Sequence, residues 1–265
     1  MLIGASRLHH LEAPGGGLDA EELEAAYAHE PGTVRANFSV TLDGAVELDG
    51  RSGGLGGDAD RDLLAALRAL ADVVLVGAGT VRAEGYGPVW VRASRRQRRV
   101  ARGQAPLPTL AVVTGTADLD PGARLFVERR EGQPVPPRPV VLTCLAAPAE
   151  RRRRLADVAD VRVVGDGEVD LAAALVGLRA DCASPKEARI LTEGGPRLLG
   201  DLLTAGLLDE LCLTHSPFVA GPDRVRLCQG WRPTPDPGQR RFRLEAVHAA
   251  DDRLFTRYRL LREEG

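Results

Sequence analysis

Two spacings of apolar residues alternate along this chain. Val73-Val74-Leu75-Val76 is a short unbroken apolar run, the pattern of a strand covered on both faces. Asp60 to Ala71 instead sets Leu63, Leu64, Leu67 and Leu70 at helical intervals. The same reading predicts strands at Val34 to Thr41, Leu110 to Thr114, Val140 to Cys144, Val161 to Val164, Ile190 to Thr192 and Leu211 to Thr214. Helices are predicted at about 148 to 158, 170 to 180 and 196 to 205. Such alternation implies an α/β fold whose central, mostly parallel sheet is flanked by helices. Phe242 to Val247 and Phe255 to Leu261 read as a C-terminal antiparallel hairpin.

Residues 1 to 33 read as an N-terminal extension. Gly15-Gly16-Gly17 is a break, Asp19 and Glu22 form a capping box for a helix reaching about His29, and Pro31-Gly32 ends it. Residues 34 to 265 then make one main domain, without an internal repeat. The arginine-rich stretch Val91 to Arg102 and the Pro/Gly-rich stretch Gly132 to Pro139 are expected to be surface loops.

Composition narrows the classes. The chain has 265 residues, 44% of them hydrophobic, a formal net charge of −2 and a pI near 6.2. That is ample for an enzyme-sized core and gives no global attraction to nucleic acid or an anionic membrane. The arginine-rich stretch has no aromatics spaced to stack bases. Met1 to Leu11 carries Arg7, His9 and His10 and is too short and polar for a signal peptide or a spanning helix, so the expected location is the cytoplasm. Cys144, Cys182, Cys212 and Cys228 are far apart, with no Cys-x-x-Cys pair and no histidine at metal-ligand spacing, as expected of free thiols and no metal site.

The chemistry gathers at two strand-to-glycine junctions. One is Gly77-Ala78-Gly79-Thr80; the other is Glu193-Gly194-Gly195-Pro196-Arg197-Leu198-Leu199-Gly200. Glycines let backbone approach a ligand closely, and the free amides of a helix start favour negative charge, so either junction suits a phosphate. Neither fits the Gly-x-Gly-x-x-Gly fingerprint or the Walker loop. A nucleotide is held across both only if their strands lie side by side. Plainer readings stand beside these. Gly194-Gly195 makes a tight turn with Glu193 capping the next helix, Thr80 is a helix N-cap, Asp43 only forms the Leu42-Asp43-Gly44 turn, and Arg68 pairs with a surface carboxylate.

The block Ser39-Val40-Thr41-Leu42-Asp43-Gly44, the run Asp72 to Glu84, Glu193-Gly194-Gly195, Leu207 to Leu211 and Ser216-Pro217-Phe218-Val219-Ala220-Gly221 together resemble the pyrimidine reductase domain of riboflavin biosynthesis. The resemblance covers roughly Val34 to Leu261. It implies a dihydrofolate-reductase-like fold, NADPH as cofactor and a homodimer. The implied reaction reduces the ribosyl group of 5-amino-6-(5-phosphoribosylamino)uracil, a phosphorylated aminopyrimidine, to the open ribityl chain. Gly77, Gly79, Thr80, Glu84 and the run Gly194, Gly195, Pro196, Arg197, Leu198, Leu199 are then expected around NADPH, with Ser39 and Thr114. Ser52, Arg68 and Glu193 fall around the substrate, and Asp43 beneath the nicotinamide. Glu193 and Asp43 are the acidic candidates for catalysis.

The chain also departs from that pattern. Ala45 stands where many members carry a basic residue, Gly54 where an aromatic is common, and Glu84-Gly85-Tyr86-Gly87-Pro88 replaces Asp-Asp-Pro and the arginine after it. The cofactor half is better kept than the substrate half. Other readings are therefore a paralogue acting on a related aminopyrimidine, a dihydrofolate or pterin reductase, and a non-catalytic nucleotide-binding relative.

Overall fold

The computed structural model describes residues 17–48, 50–232 and 240–262; the part of the N-terminal extension before residue 17 lies outside them. Among these residues the strands are β1 (Val34–Val40), β2 (Val73–Gly77), β3 (Thr109–Val113), β4 (Val140–Thr143), β5 (Asp160–Val163), β6 (Ile190–Thr192), β7 (Glu210–His215), β8 (Phe242–Ala250) and β9 (Arg253–Leu260). They form one sheet in the order β5-β4-β3-β2-β6-β1-β7-β9-β8. Pairings from β5 through β7 are parallel, and the β7-β9 and β8-β9 pairings are antiparallel. The mostly parallel sheet and the C-terminal hairpin are thus as expected. The hairpin is longer than its apolar pattern suggested: Ala250 pairs with Arg253, and Asp251 and Asp252 turn with φ of 52° and 59°. Two positive φ values in a two-residue loop are those of a type I′ turn, which matches the twist of paired strands.

Helices α1 (Ala20–Ala26), α2 (Asp58–Leu70), α3 (Ala78–Glu84), α4 (Ala93–Ala101), α5 (Arg124–Val127), α6 (Ala149–Ala156), α7 (Leu171–Ala180) and α8 (Pro196–Thr204) cover the sheet. Side chains alternate across a strand, so a continuous apolar run feeds two cores. Val74 and Val76 meet Leu63, Leu67 and Leu70 of α2 on one face. Val73 and Leu75 meet Leu175 and Leu178 of α7 and Leu199 and Leu202 of α8 on the other. The capping box of Asp19 and Glu22 forms as predicted, although α1 stops at Ala26, short of His29. No helix among the described residues is long and apolar enough to cross a membrane.

The stretch Val91 to Arg102 is not the expected surface loop. It contains α4, and Arg95 and Arg99 are buried. Arg99 Nε donates to the Ala105 carbonyl at 2.8 Å and Nη1 to that of Ala69 at 3.0 Å, and Nη1 also reaches the Ala71 carbonyl. Arg102 adds a bond to Ala69, and Gln104 one to Leu70. Together they satisfy the last carbonyls of α2, where a helix end favours positive charge. Arg95, Arg98 and Arg102 also surround the buried Glu24 of α1. Burial pushes Arg99 down to about 10.

A second buried charge cluster ties the N-terminal segment to the hairpin. Glu210 of β7 is fully buried and accepts from Arg35 Nε at 2.6 Å and from Arg259 at 2.8 Å. Arg35, equally buried, also donates to the carbonyls of Tyr27 and Ala28 at 2.6 and 2.8 Å. Removing Glu210 leaves Arg35 charged and unpaired in the interior. Glu210→Ala is therefore expected to cost about 3–5 kcal/mol, read as a lower urea midpoint.

His29 is buried with neither ring nitrogen hydrogen-bonded. Burial, then the positive Arg35 and Arg189, hold it well below its ordinary 6.5. The folded chain keeps it neutral while the unfolded chain protonates it at 6.5, so it has no pH effect above that value. Below it the unfolded state binds the extra proton, and stability falls by about 1.4 kcal/mol per pH unit. His29→Leu is expected to remove that increment from the slope between about pH 6.5 and 5, measured by urea unfolding across a pH series.

Candidate active site

The two glycine junctions meet because β2 and β6 are neighbours in register. Val73 pairs with Ile190, Val74 with Leu191 and Leu75 with Thr192, and the same register carried two residues on brings Gly77 level with Gly194. Glu193 N–H then donates to Leu75 O at 3.1 Å and Gly77 N–H to Gly194 O at 2.7 Å. A Cβ on Gly77 would stand 3.2 Å from Gly195 N, and one on Gly194 or Gly195 would stand 3.2 or 3.0 Å from Thr80 Oγ1. Gly194 also has φ +117°, a conformation that only glycine adopts readily. Gly77 is there because backbone touches backbone, and Gly194 and Gly195 because the Thr80 side chain packs against them.

Two helices begin at this contact. Gly77 is the N-cap of α3, which puts Thr80 within the first turn and corrects its reading as an N-cap. Gly195 is the N-cap of α8, and no side chain caps that helix, so Glu193 is not its cap either. The first-turn amides of α8 are left for solvent or a ligand.

A cleft of about 1430 Å³ runs from this point along the C-terminal ends of the strands, where open α/β sheets bind ligands. Its wall includes Gly77, Gly79, Thr80 and Glu84 from one junction, and Glu193, Gly194, Gly195, Pro196, Arg197 and Leu198 from the other. Ser52 and Thr114 line it as well. Ser52 donates from N–H and Oγ to Glu84 at 2.7 and 3.0 Å, which ties the glycine-rich loop to the end of α3.

Four of the residues singled out from sequence lie off this wall. Leu199 is buried in the core, because its place on α8 turns it to the sheet. Ser39 Oγ donates to Asp60 at 3.1 Å. Asp43 accepts from Thr41 Oγ1 at 2.6 Å and from the amides of Ala220 and Gly221 at 3.0 Å, and Arg226 donates to its carbonyl. Those bonds, Thr41's first, hold its carboxyl far below the usual carboxylate range. It pins the turn to the Ser216–Gly221 segment as an anion with no proton to give.

Arg68 stands behind the wall and reaches Glu193. Its Nε and Nη2 meet Oε1 and Oε2 at 2.7 and 2.6 Å, a bidentate pair in which the Glu193 side chain is 5% exposed and that of Arg68 24%. The partner of Arg68 is therefore no surface carboxylate. Burial is the largest single influence and lowers the Arg68 pKa, but the charges of Glu193 and Tyr86 and the hydrogen bonds to both together outweigh it and hold the guanidinium protonated. Tyr86 closes the group: its hydroxyl donates to Glu193 Oε2 at 2.5 Å and accepts from Arg68 Nη2 at 2.9 Å. Burial, followed by the charge of Glu193, pushes its phenol well above 10.0.

Two parts of the site escaped the sequence reading. Tyr86 was marked only as part of a departure from the family pattern, and its partners, 18 and 107 positions away, gave no signal. The segment Gly165 to Ala172 lines the far end of the cleft, with Asp166, Glu168 and Asp170. Its signal was present: Val164-Gly165-Asp166-Gly167 is a third strand-to-glycine junction, and Asp170 caps α7. Cys144 Sγ, directed at the carbonyls of Gly115 and Gly167 at 3.3 and 3.5 Å, joins this segment to the one after β3.

The profile of the RibD C-terminal domain matches residues 32–254. The 2,5-diamino-6-ribosylamino-4(3H)-pyrimidinone 5′-phosphate reductase of Archaeoglobus fulgidus is 29% identical over 199 residues, 74% of this chain and 86% of that protein. Its namesake from Methanothermobacter thermautotrophicus is 28% identical over 188 residues, 71% of this chain and 79% of the other. The crystal structure of a pyrimidine reductase-like protein from Corynebacterium diphtheriae superposes with a TM-score of 0.76 at 30% identity, over 90% of this chain and 95% of that one.

The glycine contact has a direct test. Gly77→Ala crowds Gly195 and is expected to cost about 1–3 kcal/mol. Gly79, whose Cβ would meet nothing within 4 Å, lies inside a helix, so Gly79→Ala should leave stability unchanged or raise it by up to about 1 kcal/mol. Urea unfolding of the two variants reads the difference.

Proposed function

The chain belongs to the RibD C-terminal domain family and is an oxidoreductase of the riboflavin-pathway type, and on that premise we propose that it uses NADPH to reduce the ribosyl group of a phosphorylated ribosylaminopyrimidine. The candidate substrates are 5-amino-6-(5-phosphoribosylamino)uracil and its 2,5-diaminopyrimidinone counterpart, on which the archaeal relatives are named. The observation that carries this reading is the meeting of two glycine junctions around a carboxylate held by an arginine and a tyrosine. A homodimer, on the strength of the family resemblance, and a cytoplasmic location, on the unpaired cysteines and the polar start of the chain, complete the reading.

The wall fits a dinucleotide. The uncapped amides of α8, with Gly194 and Gly195 giving close approach, suit the pyrophosphate, and Arg197 adds a positive charge beside them. Thr80 offers a hydroxyl at the junction, and Thr114 with Asp166 and Glu168 offers acceptors for sugar hydroxyls farther along. Open space over Gly79 leaves room for the ligand where a side chain would fit. Bound NADPH would supply a hydride.

The chain's own residues prepare the acceptor. The sugar takes a hydride at its anomeric carbon only after the ring opens to an imine, and a protonated imine accepts it far more readily. Glu193, held in place by Arg68 and Tyr86, offers its carboxylate to that cation and to the hydroxyls beside it. Ser52 and Glu84 close the glycine-rich loop over the same end. Asp43, bound to Thr41, Ala220 and Gly221, acts by holding the turn.

The test follows NADPH absorbance with each pyrimidine and identifies the product by mass spectrometry. Loss of NADPH with a gain of two hydrogens is expected from at least one substrate, and none from dihydrofolate. Glu193→Gln should lower kcat by about 10²–10³-fold, and Gly79→Ala should weaken NADPH binding by titration without loss of stability. NADPH binding with no oxidation by either pyrimidine overturns the substrate assignment.

A further inference from the structure

Tyr86 sits where the chain departs from the family pattern, and the fold gives it a defined task. Gly85 ends α3 in the left-handed region, φ 57°, with its N–H bonded back to Val81. That turn sends neighbouring residues to opposite duties: Glu84 accepts from Ser52 at the cleft mouth, while Tyr86 reaches inward to Glu193. The Tyr86 hydroxyl, Arg68 Nη2 and Glu193 Oε2 form a closed ring of contacts at 2.5, 2.6 and 2.9 Å. The Arg68 guanidinium also stands 5.5 Å from the centre of the Tyr86 ring.

Arg68 supplies the opposite charge, but its two contacts leave Glu193 Oε2 with room for one more donor, and the hydroxyl fills it. We propose that Tyr86 is a positioning residue for the reductase reaction: with Arg68, its hydroxyl holds the Glu193 carboxylate in the one orientation it presents to the cleft. The inference rests on the function proposed above.

The groups that face Glu193 are Arg68 from α2 and Tyr86 from the segment after α3. Glu47, Arg82, Glu84 and Arg197 line the same cleft without a hydrogen bond or ion pair to it. Losing the hydroxyl removes one of the three hydrogen bonds that orient the Glu193 carboxylate. Tyr86→Phe keeps the ring and its packing and removes the hydroxyl with its two bonds, the one given to Glu193 and the one taken from Arg68.

The experiment is steady-state kinetics of wild type and Tyr86→Phe, with NADPH and the ribosylaminopyrimidine phosphate as probes and thermal unfolding as a check on folding. The folded variant should lose about three- to tenfold in kcat with both KM values within about twofold of wild type, because one orienting hydrogen bond is gone. An unchanged kcat, or a loss carried by KM alone, overturns the proposal. If wild type turns over neither pyrimidine, the function fails separately, and carbon-13 NMR of the glutamate-labelled full chain still decides. The Glu193 carboxyl signal, assigned by its loss in Glu193→Gln, should change position in Tyr86→Phe. An unmoved resonance overturns the proposal.

Discussion

The parallel pairing of β2 with β6 is the constraint on which the functional end of this molecule depends. Three register pairs bring Gly77 and Gly194 level, and a single 2.7 Å bond between their backbones joins two segments more than a hundred residues apart. Everything chemical is referred to that point. α3 and α8 start there, the cleft opens there, and Glu193 stands one residue before the contact. A side chain on Gly77 would press on the backbone of Gly195, and one on Gly194 or Gly195 on the Thr80 hydroxyl.

Buried charge then decides how the frame is held. α2 carries Arg68 in its last turn, and that turn is fixed by Arg99, Arg102 and Gln104 binding the carbonyls of Ala69, Leu70 and Ala71. Glu24, Arg95 and Arg98 bind α1 to α4, and Glu210 with Arg35 and Arg259 binds the first strand to the hairpin. Ion pairs of this kind gain little over apolar packing, yet they tolerate few alternatives, because each unpaired partner would be costly in the interior. The position of Arg68 opposite Glu193 therefore inherits its definition from helices that do not touch the cleft.

The arginine-rich stretch shows why composition misled at one place. Run along the sequence, Val91 to Arg102 has too few apolar residues for a buried helix, and exposed charge is the ordinary inference. The carbonyls at the end of α2 and the carboxylate of Glu24 reverse it, since they offer polar partners inside the protein. Leu199 erred in the opposite direction. Its motif runs through the glycine junction into α8, but helical rotation carries it from the cleft wall to the core.

Patterns with a short period were legible from the residues alone: the apolar runs of the strands, the helical spacing of α2, the capping box at Asp19 and the glycine junctions on either side of the central strands. These depend on neighbours in the chain, and neighbours are what a sequence displays. Tertiary structure decided which carboxylate meets which cation. Glu193, Arg68 and Tyr86 come from three elements, and neither their spacing nor their types distinguishes them from surface residues until β2, β6, α2 and α3 are packed. The upward shifts of Arg68 and Tyr86 were equally hidden, because the charge state of a buried group follows from what surrounds it in space.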